Sequence, residues 1–286
     1  MTLPLIETTS EEVRSRQLKI LLEIDSLCKA QDIKYVLFAG TLLGAVRHSG
    51  FIPWDDDIDV AMTRHEYNRF LQACQKHLSS DFFLQSFRTD PEYFNQHVRI
   101  RLNNTVFMQG QYKEFEMHHG IFVDVFPFDN AFPNNPARRL KHITSIRFVR
   151  FISKLFNYGT NKRFVASHPS IFKRLSYRVL HPLLRIFPKH RINYFYERQI
   201  TKMNSFNSKF CTHLTWRMSQ KYYGAYMAEK SFFDDTIALN FEGHNFPAPK
   251  NYDKWLTSIY GDYMTPPPKR YRKPHHGVIR IEFNDD

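Results

Sequence analysis

The chain has 286 residues and a mass of 34.2 kDa, with 40 Lys and Arg against 28 Asp and Glu, a net charge of +12 and a pI near 9.5. Hydrophobic residues make up 42% and aromatics 16%, including 27 Phe and 15 Tyr, against only 10 Gly. That composition can bury a core and excludes disorder, collagen-like structure and coiled coil as the main state. The positive balance points to an anionic partner, whether nucleic acid, a lipid surface or a phosphorylated substrate, without choosing among them.

Cys28, Cys74 and Cys211 are dispersed, odd in number and form no C-x-x-C, so reduced cytoplasmic thiols fit better than a disulfide framework or a zinc ribbon. The opening MTLPLIETTSEEVRSR has neither the basic nor the apolar region of a signal peptide. No run of about 18 apolar residues suggests a membrane span. A soluble or peripheral protein on the cytoplasmic side is expected.

Thr9 or Ser10 can cap a first helix, with Glu11 and Glu12 in its first turn and apolar residues at helical spacing through about Ala30. Tyr35 to Gly40 (YVLFAG) reads as a buried strand followed by a short helix, TLLGAVRH. A proline-containing loop then leads to a second strand, Asp57 to Met62 (DIDVAM). A helix follows from about His65 to His77, then strands at FFLQSF, HVRIRL, TVFMQ and GIFVDVFPF. This alternation predicts a compact α/β or α+β core.

The texture changes after Asn134. Residues 136–210 hold 17 Lys and Arg against one acid, Glu197, a local charge of +16, while the rest of the chain carries 23 against 27, or −4. Leu140 to Phe156 and Ile171 to Phe187 place apolar side chains three and four apart with Arg and Lys between them. Pro182 should end or kink the second of these helices. Such faces suit an interfacial helix on an anionic membrane, or helices covering the core; both readings stay open. The organisation expected is a catalytic core over 1–135, a basic helical region over 136–230, and an aromatic, proline-rich segment over 231–286 that packs back on the core.

WDDDIDV is the strongest chemical signal. On a strand Asp57 and Asp59 share one face about 6.5–7 Å apart, while Ile58 and Val60 take the other. Carboxylates aimed together repel unless a cation compensates, and hard divalent cations take such oxygen ligands. Asp124, inside the apolar GIFVDVFPF, is a third acid that is costly to bury without a partner. Three converging carboxylates would suit one or two metals for in-line phosphoryl transfer. Upstream, Gly40 and Thr41 open a helix, so their amides and the Thr41 hydroxyl can face an anion.

GTLLGAVRHSGFIPWDDDIDVAM resembles the signature of the LicD family of phosphotransferases, within the nucleotidyltransferase-fold superfamily that also holds fukutin-type ribitol-phosphate transferases. RIRLNNT (Arg99 to Thr105), GIFVDVFPFD (Gly120 to Asp129), FEGHNFPAP and NYDKWLTSIYGDYMTPP agree with it. The resemblance covers roughly residues 15–130 and 230–277. It implies an α+β fold with a nucleotidyltransferase-type core, a small mixed sheet flanked by helices. Asp57 and Asp59 become the metal pair for Mg²⁺ or Mn²⁺, Asp124 the third carboxylate, as ligand or base, and Gly40 and Thr41 the donor-phosphate turn, with Arg47 nearby. Asp55 and Asp56 are loop anchors, or Asp55 a supporting contact.

The activity implied is transfer of a phospho-alcohol, typically phosphocholine from CDP-choline, to a sugar hydroxyl of a lipid-linked glycan such as a teichoic acid or lipopolysaccharide precursor. Nucleic acid is an unlikely partner, because no RNP, KH, zinc-finger or helix-turn-helix signature occurs. A glycosyltransferase using Asp-x-Asp is the rival enzyme, disfavoured because the motif follows Thr41 by only sixteen residues. An inactive scaffold is opposed by the intact acids. Secondary candidates keep two readings. Arg99 and Arg101 touch phosphate or form an exposed face, and His118–His119 and His275–His276 are structural or touch substrate. Trp54 and Phe51 stack on a base, cage a quaternary ammonium or pack in the core, and Trp255, Tyr260 and Tyr263 share that ambiguity.

Overall fold

The computed structural model describes residues 10–132, 134–158, 170–184, 186–215 and 219–284. Ser10 caps helix α1 (Glu11–Ala30), its hydroxyl accepting from the Val13 N–H at 3.4 Å. Thr9 lies outside the described residues. The α1 face with Ile20, Leu21, Ile24 and Cys28 is buried against the sheet.

The strand expected over Tyr35 to Gly40 is cut to β1 (Val36–Leu37), because Phe38 already acts as N-cap of α2 (Ala39–His48). Ala39 makes the sharp strand-to-helix turn at φ 46°, a left-handed conformation that costs a non-glycine residue of order 1 kcal/mol. The second strand, β2 (Asp59–Thr63), starts two residues later than expected, since its pairing begins at Asp59; Asp57 lies in the extended approach. Then follow α3 (Arg64–His77), β3 (Phe82–Gln85), β4 (Val98–Leu102), β5 (Thr105–Gln109) and the long β6 (Phe122–Ala131).

The basic region supplies α4 (Pro136–Tyr158), α5 (Ile171–Leu184) and α6 (Lys189–Thr201). Pro182 lies inside α5, two residues before its end. The remaining elements are β7 (Phe210–His213), α7 (Gln220–Ala225), β8 (Ala228–Glu229), β9 (Thr236–Phe241), β10 (His244–Pro249), α8 (Tyr252–Tyr260) and β11 (Val278–Phe283).

Among the described residues the main sheet has seven strands and the fold is α+β. Its path runs β1-β2-β6-β4-β3; β2 and β6 are parallel, the other pairs antiparallel. The ten-residue β6 explains the mixture: its first half pairs with β4 and its second half with β7, which carries β8. Ile100, Val123, Val125, Val60, Phe38 and Trp255 belong to one continuous core with α1 and α8.

Two smaller pairings fix the C-terminal part. The β9–β10 hairpin turns through Glu242 and Gly243, both at positive φ as two-residue hairpin turns require. Antiparallel pairing of β11 with β5 brings the preceding His275–His276 loop back to Asp56. The basic helices α4 and α6 bury Ile143, Ile146, Val149, Tyr196 and Ile200 together, so much of their apolar periodicity is core packing. By contrast α5 leaves Ile171, Phe172, Leu175, Val179 and Leu183 exposed on one face, Phe172 at 85%. No helix among the described residues is long and apolar enough to cross a membrane.

Candidate active site

Strand register assembles the acids. Asp59 on β2 is the direct partner of Asp124 on β6, and Asp124 is the direct partner of Arg99 on β4. Side chains in one row across adjacent strands emerge on the same face about 5 Å apart. Asp57, two residues before Asp59 on the extended approach, joins them. One carboxylate oxygen from each of Asp57, Asp59 and Asp124 lies within 4.8 Å of the other two.

The acids differ in their compensation. Arg99 grips Asp124 with Nε at 2.7 Å and Nη2 at 3.3 Å, and His97 Nε2 approaches to 3.2 Å. Burial alone would raise the Asp124 carboxyl, but Arg99 and His97 hold it well below the usual carboxylate range. Burial pushes the His97 imidazole down, toward its neutral form. Gln109 Oε1 accepts from Arg99 Nη1 at 3.0 Å and fixes the guanidinium. Asp59 has no such partner: its Oδ1 is buried without a hydrogen bond. Burial, then the charges of Asp57 and Asp124, push its carboxyl well above the usual range. Burial raises Asp57 as well, against a lowering pull from His276. Such a set of oxygen donors, one of them orphaned, fits a hard divalent cation.

Asp56 is the structural member of the run. It is fully buried, accepting from the His275 and His276 N–H groups at 3.3 Å and facing His276 Nδ1 at 3.0 Å. His276 Nε2 continues to Asp57 at 3.6 Å, so this loop buttresses the acidic approach from behind. Asp55 packs against Gly40, where a Cβ would collide with Asp55 Oδ2; glycine is needed there for close approach.

All three acids open into a cavity of about 980 Å³. Gly40 and Arg47 line it, Arg47 donating from Nη1 to the Tyr263 carbonyl at 2.6 Å. Thr41 departs from expectation: its hydroxyl is buried and accepts from the Asp59 N–H at 2.8 Å, so it ties β2 to α2 and does not face an anion. Arg99 faces the cavity as a clamp on Asp124 and is not part of an exposed face. Arg101 is buried behind it, held by Gln85 Oε1 at 2.5 Å and by the Gly120 carbonyl, and burial beside Arg99 lowers it to about 9.

His118 and His119 lie outside the cavity: His118 stacks on Phe83 and meets Asn103, and His119 meets the Phe115 carbonyl. Phe51 packs on Phe241 in the core, Trp255 is buried among Phe38, Phe128 and Phe233, and Tyr260 and Tyr263 reach the cavity. Trp54 also lines the cavity, but Arg272 lies over its ring at 5.1 Å. Much of the remaining lining comes from residues with no local signal in the sequence, among them His97, Gln109, Arg150, Lys154, Tyr222 and Tyr226.

Residues 32–148, which carry this carboxylate row, match the family described as LicD/FKTN/FKRP, nucleotidyltransferase domain. Almost the whole chain is similar to the lipopolysaccharide cholinephosphotransferase LicD of Haemophilus influenzae, 30% identical over 269 residues that cover 92% of this chain and 96% of that protein. An uncharacterised protein of Rickettsia typhi is 27% identical over 133 residues, 43% of this chain and 38% of its own length. Another, from Rickettsia prowazekii, is 44% identical over 54 residues, 19% of this chain and 20% of its own length. With a relative matched from end to end and the family's acidic strand at the cavity, the chain belongs to the LicD family.

Proposed function

We propose that the protein transfers phosphocholine from a CDP-choline donor to a sugar hydroxyl of a lipopolysaccharide-type glycan, with a divalent cation bound by Asp57, Asp59 and Asp124. The observation that carries this reading is the end-to-end similarity to a lipopolysaccharide cholinephosphotransferase in a chain whose three acids meet at one cavity. Mg²⁺ or Mn²⁺ held there would neutralise charge building on the transferred phosphoryl oxygens.

The chain's own groups do the rest. The acceptor oxygen forms a new bond to the choline-side phosphorus, and the bond from that phosphorus to the oxygen bridging the two phosphates breaks. CMP leaves with the electron pair, and the hydroxyl proton passes to a base. Because the Arg99 fork already occupies an edge of Asp124, this acid serves as ligand and not as base. The first-turn amides of α2 at Gly40, together with Arg47, lie where they meet the leaving phosphate. Burial of the reacting groups in the cavity keeps water from competing with the acceptor.

We also place the protein at a membrane surface on the cytoplasmic side, through the exposed apolar face of α5 and its Arg174 and Arg178. A lipid-linked acceptor is presented at such a surface.

Incubation of purified protein with Mg²⁺ and CDP-choline, CDP-ribitol, CDP-glycerol or UDP-sugars tests the reading, with CMP release followed with and without lipopolysaccharide or teichoic acid acceptors. CMP release from CDP-choline that depends on lipopolysaccharide is expected. Turnover of UDP-sugars alone would sink it.

A further inference from the structure

The donor's head group needs a site of its own, and one region of the cavity has the chemistry for it. Tyr222 at α7, Tyr226 just beyond it and Tyr260 at the end of α8 all line the cavity with Asp55. The rings of Tyr222 and Tyr226 stack at 4.6 Å with their hydroxyls 3.3 Å apart, which holds both faces in place. Tyr260 lies within electrostatic reach of Tyr226, Asp55, Asp59 and Tyr222, so the three rings and the two acids form one neighbourhood.

Asp55 gives the region its sign. Among the described residues its carboxylate has no Lys or Arg partner and accepts no side-chain hydrogen bond, whereas Asp56 is held by His276 and Asp124 by Arg99. Asp55 also stands outside the Asp57, Asp59 and Asp124 cluster and outside the grouping of Asp56, Asp57 and His276, so it is not part of the metal set. A carboxylate with no Lys or Arg partner, lining the same cavity as three aromatic rings, is complementary to a cation too large and too weakly hydrated to demand direct ligands.

We propose that Tyr222, Tyr226, Tyr260 and Asp55 form the recess for a quaternary ammonium group, the cationic end of the transferred phospho-alcohol. This deepens the phosphocholine reading and rests on it. Ring faces take the methyl-bearing cation and Asp55 supplies the balancing charge, so a neutral head such as glycerol or ribitol leaves Asp55 uncompensated. The recess therefore selects by charge as well as by shape. Trp54 and Phe51, the aromatics nearest the acids in sequence, are engaged by Arg272 and Phe241 and do not supply it.

The test uses Tyr260→Ala, Tyr222→Ala and Asp55→Asn in the full chain, with Tyr226→Phe as the conservative change at the most buried ring. Thermal unfolding first verifies that each variant is folded. Donor competition then reads the ratio of kcat/KM for CDP-choline to that for CDP-glycerol. The ratio is expected to fall about tenfold for each lost ring and further for Asp55→Asn. Direct titration with tetramethylammonium reads the recess without turnover: saturable binding to the wild type, weakened in Tyr260→Ala, Tyr222→Ala and Asp55→Asn and kept in Tyr226→Phe, is expected.

If the wild type turns over no CDP-alcohol, the phosphocholine reading fails, and tetramethylammonium binding still judges the recess. If the wild type uses CDP-choline while folded Tyr260→Ala, Tyr222→Ala and Asp55→Asn keep its selectivity, the recess is wrong and the reading stands. Loss of CMP affinity in the variants with tetramethylammonium binding intact would reassign these rings to the cytosine base and overturn the proposal.

Discussion

Replacing Asp59 with Asn should make the metal-free protein more stable while abolishing transfer. The Asp59 Oδ1 is buried without a partner, and its carboxylate oxygen lies within 4.8 Å of those of Asp57 and Asp124. At an effective dielectric of about 20, two like charges at that separation repel by about 3.5 kcal/mol. The Asp124 charge is largely offset by Arg99, so roughly one such pair is felt, and proton uptake by Asp59 caps the penalty. A gain of about 1–3 kcal/mol follows for Asp59→Asn, or roughly 2–8 °C in Tm for a chain of this size. Thermal unfolding is measured in EDTA and in Mg²⁺ at about pH 8, where carboxylates of ordinary pKa are ionised. In EDTA the variant should melt above the wild type; in Mg²⁺ the wild type should rise and the variant should not, because one ligand is gone. A variant that melts lower in EDTA, or that keeps the full Mg²⁺ shift, would refute the idea that these acids are strained against one another to receive a cation.

Gly40→Ala should cut transfer by tenfold or more through displacement of Asp55, with a stability loss under about 1–2 kcal/mol, read from kcat/KM and denaturant midpoints. Arg99→Met should abolish transfer and cost about 3–5 kcal/mol by leaving Asp124 buried and unpaired, whereas Arg101→Met should cost about 2–3 kcal/mol through Gln85 and Gly120 and leave kcat within a few-fold. The double change Phe172→Glu, Leu175→Glu on α5 should abolish co-sedimentation with anionic vesicles while moving Tm little; unchanged sedimentation would remove α5 as the membrane face. His213, buried on β7 against Phe126 and Phe38, has its imidazole pushed down to about 3 by burial, with no partner for Nε2. Its folded value lies below the unfolded one near 6.5, so the unfolded chain takes the proton first on acidification. Its contribution is whole above about pH 6.5 and is lost as pH falls from there toward 3, by at most about 1.4 kcal/mol per unit; His213→Leu should flatten that slope in urea titrations.

The acidic row was legible because a strand's period of two and a run of apolar neighbours constrain which side chains share a face. Asp57 and Asp59 could be paired from spacing, but their meeting with Asp124 depends on the parallel register of β2 on β6, which no local pattern encodes. Thr41 shows the opposite failure. Its place at a helix start suggested an anion contact, yet the short β1 and the tight turn at Ala39 rotate the hydroxyl inward to the Asp59 amide. Arg99 and Arg101 read as phosphate contacts or an exposed charged face, but β4 is an interior strand between β3 and β6, so both guanidinium groups had to find buried acceptors.

The charge excess divides along the same line. Amphipathic spacing with interleaved Lys and Arg is common to α4, α5 and α6, and the sequence cannot rank them. Packing does: α4 and α6 bury much of their apolar faces against each other and against Leu214 and Tyr223, and α4 turns Arg150 and Lys154 into the cavity. Exposed basic residues remain on all three helices, among them Lys141, Arg147, Arg178, Arg191 and Arg198, and α5 joins its share to the most exposed apolar face. On the proposed membrane reading, an exposed apolar and basic face on the helical region that also walls the cavity would let one region meet the membrane and border the site where a lipid-linked acceptor would arrive.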